Sequence, residues 1–357
     1  MSTSPTTEFQ QWHVTEPFLH LRCGLGEGPY YEAATHRLRF VDIKKKRVHS
    51  VDLSRPLGDP RGYDADEPTT TTATATATGG GGGGLPPSPT VETIQLDCPV
   101  TVTADIEGVD PRERFVIGAK YGIAALDRRT GEYRYVARFR GAAEDDDERL
   151  RSNDGAVDPH GRFWLGTMTD IGLDLRPEGS VYLFDGTRTA RSMRHPVTIP
   201  NSVGWSPDKR TLYFTHSTER VIFAFDYAAG AAAAGAGDDD VIANERVFYR
   251  HDGPGEPDGF RVDVDGNLWQ AVYGEGRVLK ISPAGLLLGE IRLPTRNITC
   301  PQFVGTELYI TSASMADGED GTAEEVELGG ALFRVDVGVQ GLEPFLFKLT
   351  DVEEEEA

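Results

Sequence analysis

Short runs in which apolar and polar residues alternate recur along the whole chain, each bounded by Gly, Pro, Asn or Asp. A period of two turns one set of side chains to a buried face, so these runs predict β-strands. Residues 36–43 and 47–53 form a hairpin pattern, and the same pattern resumes at 91–94, 100–104, 115–118 and 122–126. It continues through 179–184, 210–215, 221–226, 276–281, 289–293, 306–311 and 330–335. Phe18-Leu19-His20-Leu21 also alternates like a strand, whereas residues 1 to 15 are expected to be loosely ordered. No long amphipathic helix is predicted, because the Ala-rich stretch 228–236 is broken by Gly and carries no apolar stripe.

One theme repeats. Asp158-Pro159-His160-Gly161-Arg162-Phe163-Trp164 aligns with Ser206-Pro207-Asp208-Lys209-Arg210-Thr211-Leu212-Tyr213 and with Asp263-Val264-Asp265-Gly266-Asn267-Leu268-Trp269. Each is a turn between two strands, since Pro fixes φ and Gly accepts φ > 0. The units lead off near Asn153, Asn201 and Asp258, at a spacing of about 50 residues, the length of a four-stranded blade. Weaker units start near Glu27, Thr101 and Thr299. Six such units predict an all-β, six-bladed β-propeller as a single domain over residues 16–350. Two stretches break the pattern: 55–90, with Thr/Ala alternation and six consecutive glycines, and 228–240. Their composition buries too little surface to offset chain entropy, so both are expected to be disordered insertions.

Charge narrows the partners. The net charge is −21, but acidic clusters at 144–148, 238–240, 317–327 and the tail 351–357 hold 19 of the 57 acids, leaving the remainder nearly balanced by 36 bases. Solvated acidic loops and no basic stripe argue against nucleic acid. No apolar run approaches the roughly 18 residues of a membrane span. Met1 to Gln11 lacks an apolar signal core, and Cys23, Cys98 and Cys300 form no Cys-x-x-Cys pair. The expectation is a soluble cytoplasmic protein with reduced thiols.

Each unit's leading loop precedes its innermost strand, and in a propeller those loops converge on the central channel at one face. Glu27, Asn153, Asn201 and Asp258 stand at this point of four units. Alone, any of them is an ordinary turn or capping residue. Together, two carboxylates and two amide oxygens on one axis make a hard-oxygen site suited to Ca²⁺, Mg²⁺ or Mn²⁺ and usable by Zn²⁺. Asp263 to Asn267 is read differently: it lacks the twelfth-position Glu and flanking helices of a helix-loop-helix calcium site, and is a hairpin turn.

Several motifs in order carry a resemblance. They are Leu25-Gly26-Glu27-Gly28-Pro29, Arg151-Ser152-Asn153-Asp154-Gly155, Gly166-Thr167-Met168, Pro200-Asn201 and Pro257-Asp258-Gly259. With Gly161-Arg162-Phe163-Trp164 and residues 265–269 they resemble the regucalcin (senescence marker protein)/gluconolactonase family. The resemblance implies a propeller that binds one divalent metal and hydrolyses sugar lactones. It implies Glu27, Asn201 and Asp258 as metal ligands, and Arg151 and Asn153 as substrate-binding residues. Asp258, beside both metal and water, is a candidate general base. The chain departs from the family at three places: His216 stands where an acid is common, Ile171 where some members carry a substrate-binding Glu, with Asp170 beside it, and Ser202 where Gly is frequent. Two other functions fit the same residues: a calcium-binding regulatory protein, or a hydrolase of non-sugar lactones or esters.

Overall fold

The computed structural model describes residues 8–54, 91–140, 147–185, 190–227, 241–316 and 319–349. The expected insertions at 55–90 and 228–240, and the acidic tail at 351–357, lie outside the described residues. Six antiparallel sheets of four strands each, one extended by a fifth, are arranged as a β-propeller. Blade 1 is Gly26–Glu32, Arg37–Asp42, Arg47–Asp52 and Val91–Gln95. Blade 2 is Val100–Ala104, Arg114–Ala119, Gly122–Asp127 and Tyr133–Arg138. Blade 3 is Leu150–Val157, Phe163–Thr169, Gly179–Phe184 and Arg191–Val197. Blade 4 is Pro200–Trp205, Thr211–His216, Val221–Tyr227 and Ile242–Arg250. Blade 5 is Glu256–Val262, Leu268–Tyr273, Arg277–Ile281 and Leu287–Arg292. Blade 6 is Ile298–Val304, Glu307–Ser312 and Ala331–Asp336, with Leu19–His20 as its outermost strand.

Leu19 pairs with Leu332 and His20 with Ala331, so the start of the chain completes the last blade. The alternation at residues 18–21 predicts this strand. Residues 10–13, inside the stretch expected to be loose, instead form the strand Gln10–His13, parallel to Leu287–Arg292. Its side chains are mostly exposed and show little alternation. It is held by backbone pairing and by Trp12, whose ring lies 5.3 Å from Trp269.

The core is divided. Six apolar clusters each fill the gap between one pair of neighbouring blades. A blade is therefore buried on both faces, as the nearly continuous apolar runs of its middle strands require. The repeated turn motif has a structural cause. Asp158 accepts hydrogen bonds from the His160 and Arg162 backbone N–H groups and from Trp164 Nε1, 3.1 Å away. Asp263 does the same for the Asp265 and Asn267 N–H groups and for Trp269 Nε1 at 2.9 Å. One carboxylate thus closes a hairpin and anchors the Trp that fills the next gap. The Asp263 stretch is the hairpin turn expected of it. Trp164, Trp205 and Trp269 are all buried.

The C-terminal segment crosses one end of the channel. Leu342 N bonds to Val262 O in blade 5, Phe347 N to Asp105 O beside blade 2, and Lys348 N to Gly161 O in blade 3. Beneath this strap lies a cavity of about 90 Å³ walled by residues such as Val203, Trp205, Phe260 and Phe345. The other mouth carries the candidate site. Cys23 and Cys300 are buried, Cys98 is half-buried, and all three are free thiols. Among the described residues, no helix is long and apolar enough to cross a membrane.

Candidate metal and substrate centre

The innermost strands touch one another in a closed ring, and every one of them slips register at the same height. The slips fall between Glu27 and Tyr30, Val100 and Thr103, Ser152 and Gly155, Pro200 and Val203, Pro257 and Phe260, and Ile298 and Pro301. A β-bulge leaves residues unpaired and re-aims their side chains. The first residue in the slip is Thr101, Asn153, Asn201, Asp258 or Thr299 in blades 2 to 6, and Gly28 in blade 1. Five of these positions therefore bear polar side chains. Glu27 lies one residue earlier than its counterparts, and its longer side chain turns back so that Oε2 accepts the Gly28 N–H at 3.1 Å. Gly28 has φ +53°, and a Cβ there would stand 2.8 Å from Thr101 O, so glycine is required.

A chain of hydrogen bonds fixes the two amides. Ser217 Oγ donates to Pro257 O at 2.7 Å, so its oxygen accepts from Asn201 Nδ2 at 2.8 Å. The Asn201 amide oxygen is thereby turned the other way, 3.4 Å from Asn153 Nδ2. Asn153 Nδ2 is bound to Pro200 O at 2.8 Å, and its Oδ1 accepts from Arg151 Nη1 at 2.9 Å. Asn153 thus belongs with Arg151, while Asn201 stands beside Asp258. Thr101 and Thr299 are spent on neighbours: Thr101 Oγ1 meets Ser152 Oγ at 3.0 Å, and Thr299 Oγ1 donates to Gly26 O at 2.6 Å.

Electrostatics sets the site apart. Glu27, Asp154 and Asp258 are each less than a tenth exposed. Burial, then the charge of Asp154, pushes the Glu27 carboxyl up to about 8. Burial, then Glu27 and Asp154, raises Asp258 well above the usual carboxylate range. Such a cluster is at ease only when protonated or when a cation is present. Arg151 is 4% exposed and makes no ion pair with any described carboxylate, and its Nε has no hydrogen-bond partner. Burial brings its pKa down to about 10, against the pull of Asp170, Glu27 and Asp258. A buried, unpaired guanidinium is costly and marks a place where an anion or polar ligand belongs.

The donor set is hard oxygen, mixed in charge, which fits a divalent cation. Among the described residues, no group of three or more His, Cys, Asp or Glu side chains is placed to hold a metal without help. Beside Glu27 and Asp258, the Asn201 amide offers one further oxygen.

The departures from the family pattern are also placed. Thr198 N–H donates to His216 Nε2 at 3.1 Å, so Nδ1 carries the proton and faces Glu219 Oε1 at 2.9 Å. Burial lowers its pKa. His216 is a neutral brace of its turn, while its neighbour Ser217 reaches the amide chain. Ile171 is 47% exposed on the rim. Ser202 donates to Asp154. Residues missed in sequence are Asp154, Ser217 and Tyr273, the last with its hydroxyl pKa raised by burial and then by the nearby charges of Glu319, Asp258 and Glu27. Asp154 stands in the Asn153-Asp154-Gly155 motif, and Ser217 follows His216 in Tyr213-Phe214-Thr215-His216-Ser217, the stretch where the chain departs from the family; Tyr273 carries no sequence signal.

Relatives match this chain along nearly their whole length. A pentonolactonase from Haloferax volcanii is 30% identical over 330 residues, 90% of this chain and 94% of its own. Human regucalcin is 27% identical over 335 residues, 91% and 95% of the two chains. The solved structure of a luciferin-regenerating enzyme superposes with a TM-score of 0.73 at 26% identity, covering 92% of this chain and 96% of that one. Residues 25–314 match the SMP-30/Gluconolactonase/LRE-like region, from just before Glu27 to just past the last inner hairpin, and the chain belongs to that family.

Proposed function

We propose that the chain is a metal-dependent lactonase that opens a sugar-acid lactone to the free acid. Glu27, Asn201 and Asp258 would hold one divalent cation, which when bound supplies positive charge that polarises an ester carbonyl and acidifies water. The observation that carries the reading is Arg151: a buried guanidinium with no carboxylate partner among the described residues, tied through Asn153 to the amide of a buried two-carboxylate cluster. Arg151 offers donors to the ring oxygens of the substrate and to the carboxylate that forms. Asp258 is the proposed proton acceptor. Water adds to the lactone carbonyl carbon, the ring C–O bond breaks, and the proton lost by water passes to the departing ring oxygen. The relative named as a pentonolactonase supports the reaction class.

A pH-indicator assay over a panel of aldonolactones, with chelator and with added Ca²⁺, Zn²⁺, Mn²⁺ or Mg²⁺, tests the reading. Metal-dependent acid release from at least one lactone is expected. Tight calcium binding with no ring opening would assign a binding role instead.

A further inference from the structure

The chain carries 57 acids against 36 bases, yet Lys44-Lys45-Lys46-Arg47 is a run of four consecutive cations. The run begins in the turn after the second strand of blade 1, on the face that holds Glu27. One carboxylate ties the two together: Asp42 accepts from Gly24 N at 2.7 Å and Leu25 N at 3.2 Å, in the loop leading to Glu27, and from Lys45 N at 3.0 Å. Beside this turn a groove of about 630 Å³ runs over blades 1, 2 and 3. Blade 1 lends it Lys44 and Lys46, blade 2 Lys120 and Tyr121, and blade 3 Asp170 and Ile171. Its volume is in the range of roughly 300–1,000 Å³ usual for small-molecule sites. The blade 3 end adjoins the proposed substrate centre, since Asp170 is the leading acid acting on Arg151.

The cations of the groove are not equivalent. Lys120 is neutralised in place, 3.0 Å from both Glu148 and Asp170. Lys46 reaches only a backbone carbonyl, that of Asp97, at 2.8 Å. Lys44 is exposed and makes no hydrogen bond or ion pair with any described residue. Two ammonium groups with no carboxylate partner among the described residues thus face the groove, whose acids are already engaged: Asp170 by Lys120 and Asp97 by Tyr133. At the far end, Ile171 offers no polar group to a hydroxylated tail.

We propose that the substrate bears an anionic group in addition to its lactone ring, and that Lys44 and Lys46 receive it. This rests on the lactonase reading and specifies its substrate class. The shared chemistry is a carboxylate or phosphate remote from the ring, as in a lactone of an aldaric acid or a phosphorylated aldonolactone.

The test compares kcat/KM of the full-length, metal-loaded enzyme on three probes: a neutral aldonolactone, an aldaric acid monolactone and a phosphorylated aldonolactone. A charged probe is expected to be preferred about tenfold at low salt, through KM, on the scale of two exposed cations. The preference is expected to vanish in about 0.5 M NaCl, where screening is strong. In K44E/K46E the charged-to-neutral ratio is expected to fall to one or below. Whichever charged probe gains identifies the group. A neutral lactone used as well as either charged one, or a ratio unmoved by charge reversal, overturns the assignment and leaves the lactonase reading standing. No turnover of any probe overturns both.

Discussion

Ser202 donates its hydroxyl to Asp154 Oδ2 across 2.6 Å and accepts the Phe260 backbone N–H at 2.9 Å. One side chain of blade 4 thereby joins the inner strands of blades 3 and 5 directly beneath the proposed metal ligands. Asp154 is otherwise held by the Gly155 N–H at 2.7 Å. Ser202→Ala leaves a buried carboxylate oxygen and a buried amide without partners, and is expected to cost about 1–3 kcal/mol of folding stability. Urea denaturation of the variant measures this. An unchanged midpoint would mean that the bridge contributes nothing.

Arg151 is expected to act on substrate and not on the fold. Replacing it by Gln removes charge-assisted hydrogen bonds of about 1.5–3 kcal/mol, a drop of roughly 10- to 150-fold in kcat/KM. Arg151→Lys keeps the charge but not the fork, and is expected to restore only part of that loss. Steady-state kinetics on the lactone that the wild-type enzyme prefers reads both.

Asp258→Asn separates holding a cation from moving a proton. The amide can still offer an oxygen but cannot accept a proton at neutral pH. If Asp258 takes the proton from water, kcat is expected to fall by roughly 10²–10⁴-fold, even at metal concentrations that saturate the variant. Full activity with metal bound would remove the proton-transfer role.

The acidic cluster makes stability depend on pH. The Glu27 carboxyl is pushed from 4.5 up to about 8, and Asp258 is raised as well. Between the unfolded and folded pKa values the folded chain binds more protons than the unfolded one. Stability from this source is therefore full below about pH 4.5 and is lost as pH rises towards 8. Chelator-treated protein is expected to melt at progressively lower temperature across that window, and Glu27→Gln to flatten the slope. Added divalent metal is expected to reverse the trend, because it binds the deprotonated form. Differential scanning calorimetry from pH 5 to 8.5, an interval chosen to bracket that titration, reads the effect.

Much of this molecule is legible in its residues because the fold repeats. The turn that Asp158 and Asp263 close needs an acid, a glycine and a Trp at fixed separations, so its physics is written as a local motif. The positions of Asn153, Asn201 and Asp258 follow from that motif, since each lies a constant distance before it. The bulges are not legible, because a register slip is a property of two strands. The one-residue offset of Glu27 therefore emerges only when Arg37–Asp42 is seen beside it. Ser217 is hidden for a like reason: its role depends on Pro257, 40 residues away. The strand at Gln10–His13 has hardly any buried face and so no alternation to betray it.

The shared cation is tested most directly by isothermal titration of chelator-stripped protein with Mn²⁺ or Ca²⁺. One ion per chain is expected, with affinity at least about tenfold weaker in each of Glu27→Gln, Asn201→Ala and Asp258→Asn, and little changed in Arg151→Gln. No binding, or binding that all three substitutions leave intact, would contradict a cation held between Glu27, Asn201 and Asp258.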